Sequence, residues 1–337
     1  MGPQAERDLG RMIVIPRTAV ARHLTYPVCI PLMREAMMAL SQSRTRQLLR
    51  SILDLGDGNA LGVMPGAMDG AGFGAKLVSV YPGNFARGGP SHQGMIALFD
   101  PADGAPVCLV EAGEVTAIRT AAASAAATDV LARADASRLA ILGYGEQAWR
   151  HAGAVAAVRK LSKVTVWGRS PEMASAFASR VEAELGVACQ AADNVEAAVR
   201  DADIICTTTA AAQPILFSRQ VAEGAHLNLV GSGRAGPSEV DTALVVRARF
   251  FADHRAGVLA QGAEFLIAKA EGAVDDADVL GEIGEVMAGT LPGRISHADV
   301  TVYKSLGSIV QDLACAWSLY QAARDGGAAF GAQTVEL

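Results

Sequence analysis

"ILGYGEQA", residues 141–148, decides the fold. The apolar run "RLAIL" (138–142) leads into it, and the helix-forming "EQAWRHAGAVAAVR" (146–159) leads out. Gly143, Gly145 and Ala148 thus form a G-x-G-x-x-A turn between a strand and a helix. The first glycine permits the tight turn, and the second lets the backbone approach a pyrophosphate. The small third residue lets the helix lie close to its strand. In this setting the motif reads as a dinucleotide seat rather than an empty α/β turn. Glu146 and Gln147 open the helix beside it and are placed among the cofactor contacts.

Alternation of strand and helix continues downstream. "KVTVW" reads as a strand, "SPEMASAFASRVEAEL" as a helix and "NVEAAVRD" as a short helix. "ADIICTTT", "AHLNLVG" and "ARFFAD" are further strands. This rhythm predicts a parallel sheet with helices on both faces. Thr208, at the end of "ADIICTTT", joins the cofactor set. The second strand runs into "VTVWGRS", with no acid at its end to hold a ribose 2′-hydroxyl. A guanidinium and a hydroxyl there, Arg169 and Ser170, suit the 2′-phosphate of NADP(H), while NAD(H) stays possible. Ser170 also reads as the cap of a helix whose first turn carries Pro171.

The turn comes late: 140 residues precede this stretch in a chain of 337, a length that suits two domains. The formal net charge is −6 with no basic run, which argues against nucleic acid as a partner. No apolar stretch approaches the roughly 20 residues that cross a bilayer, so no membrane partner is expected. The start, "MGPQAERDLGRMIVIP", does not read as a signal peptide. Five scattered cysteines with no CxxC pair give no metal or disulfide framework, and the expected location is a reducing cytoplasm.

Ahead of the turn, "PLMREAMMALSQ" (31–42) reads as an amphipathic helix and "GAKLVSVYPGN" as a strand running into a Pro-Gly turn. Residues 94–113 read as a hairpin around "DPADGAP", and 116–132 as an alanine-rich helix. The closing stretch 303–325 reads as one helix, with Leu306, Ile309, Val310, Leu313, Trp317 and Tyr320 at helical spacing. Arg50, Lys76 and Arg119 stand out as cations; each alone also reads as a solvated surface charge. A lysine in an apolar strand is different. Burial near other cations lowers its pKa and suits it to proton transfer.

The run "KLVSVYPGN" (76–84) with "SHQGMIALFDPADGAPVCLVEAGEVTAIRTAAASAAATDVLA" (91–132) resembles the ornithine cyclodeaminase/μ-crystallin family. So do "ILGYGEQA", "VWGRS", "EGAHLNLVGS", "EIGEVMAG" and "TVYKSLGSIVQDLA", in order over about residues 15–325. The resemblance implies a Rossmann dinucleotide-binding domain, residues 129–300, inserted into a split α+β substrate and dimerisation domain, residues 1–128 plus 301–337. It also implies a homodimer. By motif, Arg50 resembles the arginine that holds the substrate carboxylate, Lys76 the active-site lysine, and Arg119 a second anion-binding group. Thr116 and Thr120 flank Arg119, and Ser91, His92 and Gln93 fill the segment beside the cofactor. Ser232, Ser305 and Gly307 would border the nicotinamide.

One position departs from the pattern. Cyclodeaminases of this family carry a catalytic aspartate after the fifth Rossmann strand. Counting back from Glu239 and Asp241 in "VGSGRAGPSEVD", that place is Gly233, and the family's lysine position is Pro237. Glycine takes no proton. Arg234 beside it reads as a group that could face a second substrate carboxylate. The expectation is therefore an NAD(P)H-dependent reductase of α-imino acids, giving L-amino acids and reversible as a dehydrogenase. The alternatives are an ornithine or lysine cyclodeaminase and a nucleotide-bound ligand-binding protein.

Overall fold

The computed structural model describes residues 11–233 and 235–336. In chain order the strands are β1 Arg11–Ile15, β2 Thr45–Gln47, β3 Ser51–Gly56, β4 Asn59–Met68, β5 Phe73–Val80, β6 His92–Phe99, β7 Pro106–Glu111, β8 Arg138–Leu142, β9 Lys163–Trp167, β10 Cys189–Ala191, β11 Ile204–Thr207, β12 His226–Leu229, β13 Arg249–Ala252, β14 Val279–Glu282, β15 Thr301–Lys304 and β16 Gln333–Glu336. The helices are α1 Arg17–His23, α2 Tyr26–Ser41, α3 Ala112–Leu131, α4 Glu146–Ala156, α5 Pro171–Leu185, α6 Val195–Val199, α7 Thr242–Arg247, α8 Arg255–Gln261, α9 Ala263–Ala270, α10 Ile283–Met287 and α11 Ile309–Gly326. Two compact units result, Met1–Thr25, Thr45–Thr116 and Ile309–Leu337 in one, Tyr26–Arg44 and Ala117–Ser308 in the other. Among the described residues no helix is long and apolar enough to cross a membrane.

The first unit is a mixed sheet in the order β16-β1-β7-β6-β5-β4-β2, with β3 paired to β4 off that path. Only β1 and β7 run parallel; the other pairs are antiparallel. Helix α11 packs across β4, β5 and β6 because small residues receive its large ones. A Cβ on Gly66 would lie 2.6 Å from Ile309, one on Gly74 3.2 Å from Leu313, and one on Gly72 3.0 Å from Trp317. These three side chains recur every four residues, so they share one face of the helix. Close seating of that face brings α11 down onto the middle of β5.

The second unit is an all-parallel sheet in the order β10-β9-β8-β11-β12-β15-β13-β14. Its central strands are mostly apolar and almost wholly buried, as a sheet covered by helices on each side requires. The middle of helix α3 is enclosed: Ala121, Ala122, Ala123, Ala125, Ala126 and Ala127 each expose none of their surface. Alanine there serves close packing as well as helix propensity. The Glu111 carboxylate caps the start of α3, accepting from the N–H groups of Gly113 and Glu114.

Two expectations need adjustment. The helix expected at 31–42 starts earlier, at Tyr26, and contains Pro31. The closing stretch is not one helix. Thr301–Lys304 is a buried strand between β12 and β13, and the helix begins only at Ile309. Gly307, at a φ of +82°, turns the chain between them.

Candidate active site

Lys76 lies mid-strand on β5, between Met64 of β4 and Ile96 of β6. Only 3% of its surface is exposed. Its Nζ donates to Thr116 Oγ1 at 2.6 Å and to Asp312 Oδ1 at 3.1 Å. Thr116, in the first turns of α3, passes its own proton to the Ala112 carbonyl at 2.6 Å. It can therefore only accept from the lysine. Asp312 is fully buried on α11. The sequence predicts a lysine pKa lowered by burial near other cations; a carboxylate also pairs with Lys76, and an opposite charge at this distance favours the ammonium form.

Lys76 and Arg50 both act on a histidine of the same sheet. His92, the first residue of β6, has its pKa lowered by the enclosing protein, then by the charges of Lys76 and Arg50. Its Nδ1 lies 2.8 Å from Ser91 Oγ. Arg50, half-buried just ahead of β3, thus acts electrostatically in the same place as Lys76. Gln93 follows on β6, exposed, its carbonyl accepting from Ser79. The first unit therefore brings together Arg50, Lys76, Ser91, His92 and Thr116, with Asp312 added.

In the second unit the dinucleotide turn has the geometry its sequence requires. Gly143 takes a φ of +120°, and a Cβ there would stand 2.7 Å from Thr208 Oγ1. Thr208 is fixed in turn, its N–H and hydroxyl both donating to the Leu142 carbonyl. Gly145 caps α4 without any side-chain hydrogen bond, and nothing lies within 4 Å of the Cβ position. An open helix N-terminus behind a glycine fits a pyrophosphate. Glu146 pairs with Arg150 at 3.7 Å, and the Gln147 carbonyl lies 2.7 Å from His151 Nδ1. Arg169 is exposed at the end of β9. Ser170 caps α5, accepting from the Met173 N–H, and donates to Glu172 at 2.8 Å.

Buried charge also lies past the C-terminal ends of the parallel strands. Lys304 donates to Ser232 O and Ser232 Oγ, each at 2.7 Å, and pairs with Glu264 at 2.8 Å. Ser232 in turn donates to Glu264. The Ser232 hydroxyl is thus committed inside the protein. Burial raises the pKa of Glu239, against hydrogen bonds from Thr207 and Thr209. Asp253 accepts from the N–H groups of Leu306 at 2.7 Å and Gly307 at 2.6 Å, holding the turn that contains buried Ser305. The Arg119 guanidinium, 5% exposed and next to Thr120, lies against Gly307, 2.9 Å from where a Cβ would be. Nothing lies within 4 Å of a Cβ built on Gly233. Arg234 lies outside the described residues.

Sequence reasoning missed Asp312, Glu264 and Lys304 as site residues. Asp312 hides in a helical apolar pattern and meets Lys76 across 236 positions. The signal that could have found it was its type: an acid on the buried face of a helix needs a buried cation.

The sequence profile of the ornithine cyclodeaminase/mu-crystallin family matches residues 12–327. The chain belongs to this family. Delta(1)-pyrroline-2-carboxylate reductase of Bacillus cereus is 35% identical over 295 residues, covering 87% of this chain and 90% of that protein. Ketimine reductase mu-crystallin of Mus musculus is 37% identical over 268 residues, 79% of this chain and 81% of the mouse protein. Among solved structures, Thermococcus litoralis Delta(1)-pyrroline-2-carboxylate reductase in complex with NADH and L-proline superposes with a TM-score of 0.91. It is 30% identical, and the match covers 94% of this chain and 98% of that one. The reductases of the family thus match this chain over most of its length.

Proposed function

We propose that this chain is an NAD(P)H-dependent reductase of α-imino acids, giving L-amino acids and running in reverse as an amino-acid dehydrogenase. The substrate class is cyclic ketimines such as pyrroline- or piperideine-2-carboxylate, or linear imino acids such as iminosuccinate. One observation carries the reading: a buried lysine paired with a carboxylate, beside Arg50 and a His92 that their charges help to keep neutral. An α-imino acid offers the matching chemistry, an anionic carboxylate next to a nitrogen that must gain a proton. Arg50 holds the carboxylate, and Arg119 provides the second anion-binding group. Positioning of this kind contributes on the order of 7 kcal/mol. Lys76 gives its proton to the imine nitrogen, directly or through a water. A nicotinamide dinucleotide supplies the hydride to the imine carbon when bound.

The dinucleotide is assigned to the parallel-sheet part, residues 129–300. The imino acid and the dimer contact are assigned to residues 1–128 with 301–337. Gly143, Gly145, Glu146, Gln147 and Thr208 would hold the pyrophosphate end, and Ser91, Thr116, Ser232, Ser305 and Gly307 the nicotinamide end. Arg234 is kept as a candidate for a second substrate carboxylate. Arg169 and Ser170 favour NADPH over NADH, since Arg169 is an exposed guanidinium with no acid beside it in the strand. Exposed Leu48, Ile52, Leu53 and Leu55, on and before β3, support a homodimer that covers them. The absence of any disulfide among the five cysteines suits the reducing cytoplasm. A cyclodeaminase would need an acid at Gly233.

The test is the decay of reduced-nicotinamide absorbance, with NADPH and NADH in parallel. The panel is pyrroline-2-carboxylate, piperideine-2-carboxylate, and oxaloacetate or pyruvate with ammonia. Decay with at least one imine, faster with NADPH, is expected. A flat trace across the panel would overturn the reading.

A further inference from the structure

Lys76 and Asp312 come from opposite ends of the first unit's sequence, yet both are almost completely enclosed. A buried carboxylate is costly unless paired, and so is a buried ammonium; removing either leaves the other stranded. The hydrogen-bond directions add a constraint. Thr116 has given its proton to Ala112 and Asp312 is a carboxylate, so both contacts take an N–H from Lys76. An ammonium has three N–H groups and a neutral amine has two. Lys76 can therefore lose one proton and keep both contacts.

We propose that Asp312 is a positioning residue that holds Lys76 as an ammonium in a fixed orientation until a proton is needed, with Thr116 as the second tether. In the reductase the imine carbon takes the hydride and its nitrogen takes the Lys76 proton. The C=N π bond is lost, the dihydronicotinamide is oxidised, and solvent returns the proton to the amine. Only this kinetic consequence rests on the reductase reading.

The neighbouring elements carry the following charged groups, with Arg119 and Asp129 also on α3. β4 carries none, and β5 carries only Lys76. His92 comes from β6 and Arg50 from the segment before β3; Lys76 and Arg50 both favour the neutral form of His92, and Arg50 opposes a positive charge on Lys76. On α3, Glu114 is held by Arg17 at 3.0 Å; Glu111 before it serves backbone N–H groups. On α11 the remaining charges, Arg324 and Asp325, lie in the last turn. Asp312 is the carboxylate paired with Lys76.

The chain has five lysines, so ¹³Cε signals of lysine-labelled protein can follow Lys76 directly, assigned with Lys76→Arg. In the unmutated protein the Lys76 signal is expected not to titrate below about pH 9. In Asp312→Asn its midpoint is expected to fall by roughly 1–3 pH units, and Asp312→Glu to restore most of the loss. The alkaline limb of kcat/KM for imine reduction is expected to move with it, with a smaller change in KM. Dinucleotide binding and thermal melting check that the variants are folded. An unmoved midpoint in folded Asp312→Asn would overturn the proposal. So would titration of the unmutated Lys76 near neutral pH, a result that needs no variant. If the midpoint moves but no imine is reduced, the role of Asp312 stands and the reductase reading fails. If imines are reduced and the midpoint does not move, the reverse holds.

Discussion

Each unit buries one lysine against one carboxylate, Lys76 with Asp312 in the first and Lys304 with Glu264 in the second. The ingredients match; the surroundings do not. Lys304 donates to the Ser232 carbonyl and hydroxyl and forms an ion pair with Glu264, whose other oxygen accepts from Ser232. That pair is closed and neutral, and it ties the segment after β12 to the end of β15. Near Lys76 stands the Arg50 cation, beside a His92 whose lowered pKa favours its neutral form. Arg50 adds positive charge beside that pair, which suits an anionic substrate. Burial of a charged pair says little about function; the sign of the charges next to it says more.

The contrast can be broken in several ways, the largest effect first. Replacing Lys76 by Met is expected to cut imine reduction by at least about 10²-fold while leaving dinucleotide affinity unchanged, read by steady-state kinetics and fluorescence titration. Equal activity in the variant would remove the distinction. Glu264→Gln strands Lys304 without its counter-ion. A loss of about 3–5 kcal/mol in urea unfolding is expected, with the double change Lys304→Met, Glu264→Leu costing less. A dominant effect on the pH profile instead would make this pair functional too.

Arg50→Met is expected to raise KM for the imino acid by roughly tenfold or more, as loss of a charge-assisted hydrogen bond implies, with kcat less affected. The smallest effect concerns His92. Its lowered pKa means that the folded state resists protonation. Stability is then unaffected above the unfolded value of about 6.5 and falls as pH drops below it, because the unfolded chain gains the proton first. His92→Gln is expected to flatten that part of the melting-temperature profile.

These predictions draw on residues that were unequally legible in the sequence. The dinucleotide half announces itself locally: Gly143 needs a positive φ, Ser170 caps the helix that Pro171 opens, and each strand is a short apolar run. β15 was hidden because it is buried on both faces and lacks alternation, so Tyr303 and Lys304 read as the start of a helix. β3 and β4 were hidden for other reasons. Every residue of β3 is exposed, and β4 contains Gly62, Pro65 and Gly66, which read as breakers. Lys76 stood out as a charge in an apolar strand. Its partner could not, because a pair 236 residues apart is set by the glycines that seat α11 and not by any spacing.

The most direct test of the whole account uses NADPH carrying deuterium at the transferable C4 position, with pyrroline-2-carboxylate or iminosuccinate as acceptor. Mass spectrometry of the product amino acid would locate the label. One deuterium at Cα, lost with Lys76→Met, is the expected result. An unlabelled product, or conversion of ornithine to proline with no net consumption of the dinucleotide, would contradict the account.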